Sequence, residues 1–157
     1  MPHAALQTPL VELLGCQVPI ICAGMGGVAR HELAAAVGNA GGFGCLGMVR
    51  EPVALIRREV AAYRALSQQP FAVNLIPAAT PADLFDAQLS TCLELQVPAV
   101  ALFWDVQADV IRRLKEAGVL VLHQVGNRAD AEAALRAGVD VLIAQGLEAG
   151  GHVRAEI

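Results

Sequence analysis

Six short apolar runs punctuate the chain at nearly regular intervals. They are VPIICA (18–23), FGCL (43–46), FAVNLI (71–76), AVALF (99–103), VLVLH (119–123) and VDVLIA (139–144). Their length and β-branched content are those of strands buried on both faces, as in a parallel sheet. Their starts are 20 to 28 residues apart. That leaves room for one helix and two short loops between successive strands, and strands alternating with helices make right-handed βα units.

The intervening segments have helical periodicity. In 52–66, Val53, Ile56, Val60, Tyr63 and Leu66 recur at spacings of three and four, while Arg57, Arg58, Glu59 and Arg64 fall mostly on the other side. Thr80-Pro81 reads as an N-cap followed by proline at the first helical position, with Asp83 in the first turn. An internal repeat marks the helix-to-strand junctions. EAGVLVL (116–122) and RAGVDVL (136–142) share one frame, and NAGGFGCL (39–46) is a looser copy. In each, a helix ends, a glycine (Gly41, Gly118 or Gly138) takes the left-handed position just beyond it, and a buried strand begins.

Two architectures accommodate this order, a doubly wound sheet and a (β/α)8 barrel. Regular spacing without a long crossover favours the barrel. A complete barrel needs about 200–250 residues or more, and this chain has 157. The expectation is therefore an α/β fold of the (β/α)8 TIM-barrel type, incomplete in this chain, with about six βα units and no second domain over 1–157.

Composition narrows the function. The chain is 55% hydrophobic, yet no apolar run approaches the roughly 20 residues of a membrane-spanning helix. The net charge is −4 and no basic cluster occurs, which argues against nucleic-acid binding. Cys16, Cys22, Cys45 and Cys92 lack CxxC or Cys/His metal spacing. Cys22 and Cys45, inside apolar runs, read as buried free thiols. Reduced cysteines and an N-terminus without export-signal character give a cytoplasmic expectation.

Two glycine clusters resemble a dinucleotide fingerprint. GFGCLG (42–47) lies within a strand and is set aside. GMGGVA (24–29) follows a strand and opens a helix, but the acidic residue expected at the end of the next strand is absent, since that region reads FGCLGM. The remaining readings are a tight βα turn, or a surface of small residues against which a flat ring lies. Polar residues at other strand ends favour a ligand site. Asn74 is in the third run, Gln124 follows the fifth, and Gln145, Glu148 and His152 follow the sixth. In a barrel those ends converge on one mouth. Asn74, Gln124 and Gln145 also read as loop caps, and His123 as a core histidine. His152 follows Gly150 and Gly151, which leave room for a ligand, and an imidazole titrates near neutrality and serves as a general base. A solvated loop histidine is the alternative.

GLEAGGH (146–152) after a strand resembles the signature of nitronate monooxygenases, also called 2-nitropropane dioxygenases. So do TPLVELLGCQVPIICAGMGGV (8–28), AAAVGNAGGFGCLG (34–47) and PFAVNL (70–75). The resemblance runs in order from about residue 8 to the end of the chain. It implies an FMN-dependent barrel without a metal that oxidises alkyl nitronates, or nitroalkanes, with dioxygen. Carried over by position, it implies that Ala23, Gly24 and Met25 line the flavin and that Asn74 hydrogen-bonds the isoalloxazine edge. Gln124 stands near the flavin pyrimidine where some members have lysine. Gly150 and Gly151 pack near the flavin, and His152 faces the substrate as the base that takes the α-proton.

The glycine-histidine stretch is shared with FMN-dependent enoyl-ACP reductases, so an oxidoreductase of that kind is the alternative. Relatives of this family continue for about as many residues again. The missing part would supply the last strands and, by resemblance, the FMN-phosphate site. The expectation is a fragment, a truncated product, or a half completed by another copy or segment that covers the open barrel edges. A non-catalytic truncated barrel or partner subunit is the third reading.

Overall fold

A computed structural model of the chain describes residues 4–154; residues 1–3 and 155–157 of the expected single domain lie outside the described residues. Five parallel strands form one sheet: β1 (Gly44–Gly47), β2 (Phe71–Leu75), β3 (Ala99–Phe103), β4 (Leu120–Val125) and β5 (Val141–Ala144). The helices are α1 (Pro9–Leu14), α2 (His31–Asn39), α3 (Val53–Leu66), α4 (Ala82–Glu94), α5 (Ala108–Glu116) and α6 (Arg128–Ala137), with 3₁₀ turns at Ala4–Leu6 and Pro77–Ala79.

The spatial order of the strands is their order in sequence, β1-β2-β3-β4-β5, and every pair is parallel. Each crossover therefore steps one strand in the same direction. A doubly wound sheet would reverse that order at a switch point and place helices on both faces. Here α2 packs on β1 and α3, α3 on α4, and α5 and α6 on β4, as in the wall of a barrel.

Strand side chains alternate between two cores, as the two-residue period requires. Val73, Leu75, Val100, Leu102 and Val121 face the helices, with Ile56, Val60, Leu89, Ile111 and Leu114 packed over them. Ala72, Ala99, Ala101 and Leu122 face the concave side with Cys22, Phe43 and Cys45. Small residues dominate this inner layer, and a space of about 200 Å³ remains inside it.

Two expectations require correction. The run 18–23 is not a strand. It makes one bridge, Ile21 to Phe43, with Cys22 N donating to Phe43 O and Phe43 N to Ile20 O. Pro19 has no N–H to extend the ladder, and Val18 N is already engaged with Gly41 O. Five strands and one bridge therefore stand where six strands were expected. Thr80 does not cap α4. Pro81 holds the N-cap position, and Thr80 Oγ1 instead donates to Ile76 O at 2.9 Å, closing the preceding 3₁₀ turn. Gln124 stands at the C-terminal end of β4, one residue before its last. The three glycines of the repeat do adopt left-handed φ values of 93°, 74° and 92°.

Among the described residues no helix is long and apolar enough to cross a membrane. All four cysteines are free; Cys22, Cys45 and Cys92 are buried. Burial pushes the Cys45 and Cys92 thiols up to about 12.

Candidate active site

The C-terminal ends of the strands open into one cleft of about 460 Å³, within the range of small-molecule sites. Of the residues singled out in the sequence, Ala23, Gly24, Met25, Asn74, Gln124, Gln145, Gly150, Gly151 and His152 line it, and Glu148 does not. The convergence follows from topology. Parallel strands all present their C-terminal ends at one rim, so residues far apart in sequence meet there.

The 24–26 segment lies close over the ends of β1 and β2. A Cβ on Gly24 would fall inside 3.0 Å of Asn74 Cβ and Cγ, and one on Gly47 inside 3.0 Å of Met25 O. Only glycine at both positions lets the backbone cross the strand ends so closely. The fingerprint-like GMGGVA therefore serves close packing between backbone and strand.

Asn74 is fixed by its amide donating to Ala101 O at 3.0 Å, across the β2–β3 ladder. Its carbonyl oxygen lies against Gly24, where an added Cβ would come within 2.7 Å of it. The Gln124 amide has no hydrogen-bond partner among the described residues and lines both the cleft and the inner space.

His152 is exposed at the cleft rim. Its loop is closed by Gln145, whose Nε2 donates to His152 O at 2.8 Å and whose Oε1 accepts from Arg154 N at 2.8 Å. Gln145 thus caps its own loop and lines the cleft as well. Arg154 ties the loop to Asp105 at 3.1 Å and Asp130 at 3.5 Å.

Other residues of the cleft escaped the sequence reading. Phe103 and Ile76 supply apolar wall, and Arg50 supplies the cleft's one charged side chain among the described residues. Arg50 Nε donates to Ala79 O, and the guanidinium has no carboxylate partner among the described residues. Trp104 stacks edge-on with the His152 ring, centroids 5.6 Å apart at 85°. Arg50 and Trp104 both have positive φ, 58° and 69°. Non-glycine residues in this region carry strain of roughly 1–3 kcal/mol each. The signal the sequence holds for Ile76, Phe103 and Trp104 is position, at the ends of β2 and β3.

His123 faces the helices, not the cleft. It is fully buried, with Nδ1 3.0 Å from Gln124 O and no partner for Nε2. Burial holds its pKa below the usual histidine value. His31, Glu32 and Glu59 cluster outside the cleft. Glu59 there is bonded to His31 and Arg58, so its oxygens are already occupied by donors.

This fold and cleft define a barrel-type α/β enzyme domain with a cleft at the strand C-termini. A family model described as nitronate monooxygenase matches residues 7–156; the chain belongs to the nitronate monooxygenase family. A nitronate monooxygenase of Paraburkholderia phytofirmans is 36% identical over 91% of this chain and 49% of its own length. The (3aS,4S,5R,7aS)-5-hydroxy-7a-methyl-1-oxo-octahydro-1H-indene-4-carboxyl-CoA dehydrogenase of Mycobacterium tuberculosis is 36% identical over 94% of this chain and 41% of its own length. FabK from Thermotoga maritima superposes with a TM-score of 0.88 at 34% identity, covering 94% of this chain and 46% of that one. Nitroalkane oxidase from Streptomyces ansochromogenes does so at 0.81 and 32%, covering 92% and 50%. The chain thus spans about half the length of the relatives it matches. The family is one of oxidoreductases.

Proposed function

We propose that this chain carries the ring-binding and proton-abstracting half of an FMN-dependent nitronate monooxygenase that oxidises alkyl nitronates or nitroalkanes with dioxygen. The observation that carries the reading is the convergence of Ala23, Gly24, Met25, Asn74, Gln124, Gly150, Gly151 and His152 on one cleft.

The residues present suit a flavin ring. Gly24 and Gly26 offer a flat backbone surface free of side chains, and the unpartnered Gln124 amide and the Asn74 carbonyl oxygen match the alternating donors and acceptors of the isoalloxazine edge. Ala23 and Met25 would flank the ring, and Gly150 and Gly151 would pack beside it. Gln124 is neutral, so it orients the ring without adding positive charge. When bound, FMN supplies the electron acceptance and the reaction with dioxygen.

His152 acts on the substrate. A neutral imidazole nitrogen takes the α-proton of a nitroalkane; the C–H electron pair moves into the nitro group, and the nitronate results. The α-C–H of a nitroalkane is acidic enough for an imidazole to take its proton. A preformed nitronate needs no such step. No metal is required.

Purified protein reconstituted with FMN should show flavin absorbance that bleaches on anaerobic addition of a nitronate. Protein that takes up no FMN would overturn the reading for this chain. His152→Ala should abolish turnover of the nitroalkane and leave FMN binding largely intact.

A second reading is an FMN oxidoreductase acting on acyl thioesters, as an enoyl-ACP reductase does. The unpaired Arg50 guanidinium in the cleft favours it, because it suits the phosphates of such a substrate. NAD(P)H oxidation with enoyl thioesters, and indifference to nitronates, would select it. A non-catalytic role remains the outcome if flavin is absent. In the whole protein, a completing segment or a second copy would cover the β5 edge, in a cytoplasmic setting.

A further inference from the structure

We infer that Trp104 is a positioning residue for His152: its indole, held by a left-handed backbone turn at the end of β3, fixes the orientation of the imidazole at the cleft rim. The inference rests on His152 being the base.

Three independent observations meet here. Trp104 has φ 69°, a conformation that is a genuine outlier for a bulky aromatic. Such outliers persist where the surroundings over-determine them and they concentrate at functional sites. Second, that turn brings the indole against the His152 ring, edge-on at 5.6 Å, while Phe103, one residue earlier, points into the cleft and stacks on Trp104 at 5.1 Å. Third, the next residue, Asp105, holds Arg154, two residues beyond His152, at 3.1 Å. The loop after β3 thus grips the histidine loop twice, by ring and by charge, across the intervening β4.

The reason for such a grip lies in the histidine loop itself. Gly150 and Gly151 precede His152, and Gly151 has φ 79°. Glycines leave that backbone with more accessible conformations than any other residue would. Gln145 fixes the His152 carbonyl and the Arg154 amide, which leaves the side-chain torsions free. The indole is the contact that restricts the ring. The charged groups around the pair are Asp105, Asp130 and Arg154 in the clamp, Arg50 in the cleft and Glu148 in the same loop.

Trp104 is the chain's single tryptophan, so its emission reports this contact without flavin or turnover. In the full 157-residue chain, removing the ring contact with His152→Gln should change the intensity of the Trp104 emission. The His152 imidazole C–H resonances should be displaced by the indole ring current, and Trp104→Ala should return them to the values of an exposed histidine. Emission that is identical in the parent and His152→Gln overturns the proposal. So do imidazole resonances identical in the parent and Trp104→Ala. If Trp104→Ala does not fold, the comparison of the parent with His152→Gln decides alone. A chain that shows the ring contact yet binds no FMN keeps this inference and sinks the proposed chemistry; the reverse result does the opposite.

Discussion

Glycine at position 24 is a residue whose absence of a side chain shapes the site. Gly24→Ala would drive a Cβ into Asn74, whose amide is locked to Ala101 O. Overpacking of this kind costs typically about 1–3 kcal/mol, so the urea midpoint should fall with an unchanged slope. Glu59 makes a second residue-level case. It is 2% exposed and accepts from His31 N at 3.1 Å, with His31 Nδ1 at 2.7 Å and Arg58 Nη2 at 3.2 Å. Burial alone would raise its pKa, but the bonds to His31 and Arg58 together outweigh it and hold the carboxyl below the usual glutamate value. A depressed folded pKa gives stability that is complete above the unfolded value, about 4.3, and is lost as pH falls through the folded one. Glu59→Gln should therefore be less stable than the parent near neutrality, and the gap should narrow in acid. Denaturation midpoints measured at several pH values check this; a gap that stays constant with pH contradicts it.

At the scale of elements, the helix and strand boundaries follow local chemistry. Asn127 caps α6 by accepting from Asp130 N at 2.8 Å, and Gly138 ends it in a left-handed turn. Asn127→Ala should cost about 1 kcal/mol, read as a lower thermal midpoint with the cleft preserved. The corrected elements show where local reading gives way. Val18, Pro19, Ile20 and Ile21 have strand-like composition, but Pro19 lacks the N–H that would extend the ladder beyond the Ile21–Phe43 bridge. Thr80 is an eligible cap, yet the 3₁₀ turn at Pro77–Ala79 offers its hydroxyl the Ile76 carbonyl first. Asparagine, threonine and glutamine side chains have several local partners, and only the folded backbone selects among them.

For the whole molecule, β5 is paired with β4 alone among the described residues, and its Val141, Leu142 and Ile143 are only half-buried. An unpaired edge with apolar faces favours association. The chain alone should show a scattering mass that rises with concentration, and Ile143→Lys should reduce that rise; a concentration-independent monomer would contradict it. The sequence by itself determined the order of βα units, the parallel sheet, the glycine helix ends and the strand-end set from Ala23 to His152. Those follow from periodicity, from backbone angles that only glycine adopts readily, and from a shared motif, all of which are local. Tertiary structure alone decided that Ile21 makes a bridge and no strand, and that Gly24 must be bare because Asn74 passes beneath it. It also brought Trp104 against His152 and left Arg50 in the cleft without a carboxylate partner among the described residues. These are contacts between segments tens of residues apart, set by which strand ends lie side by side, and no short window of sequence carries that distance.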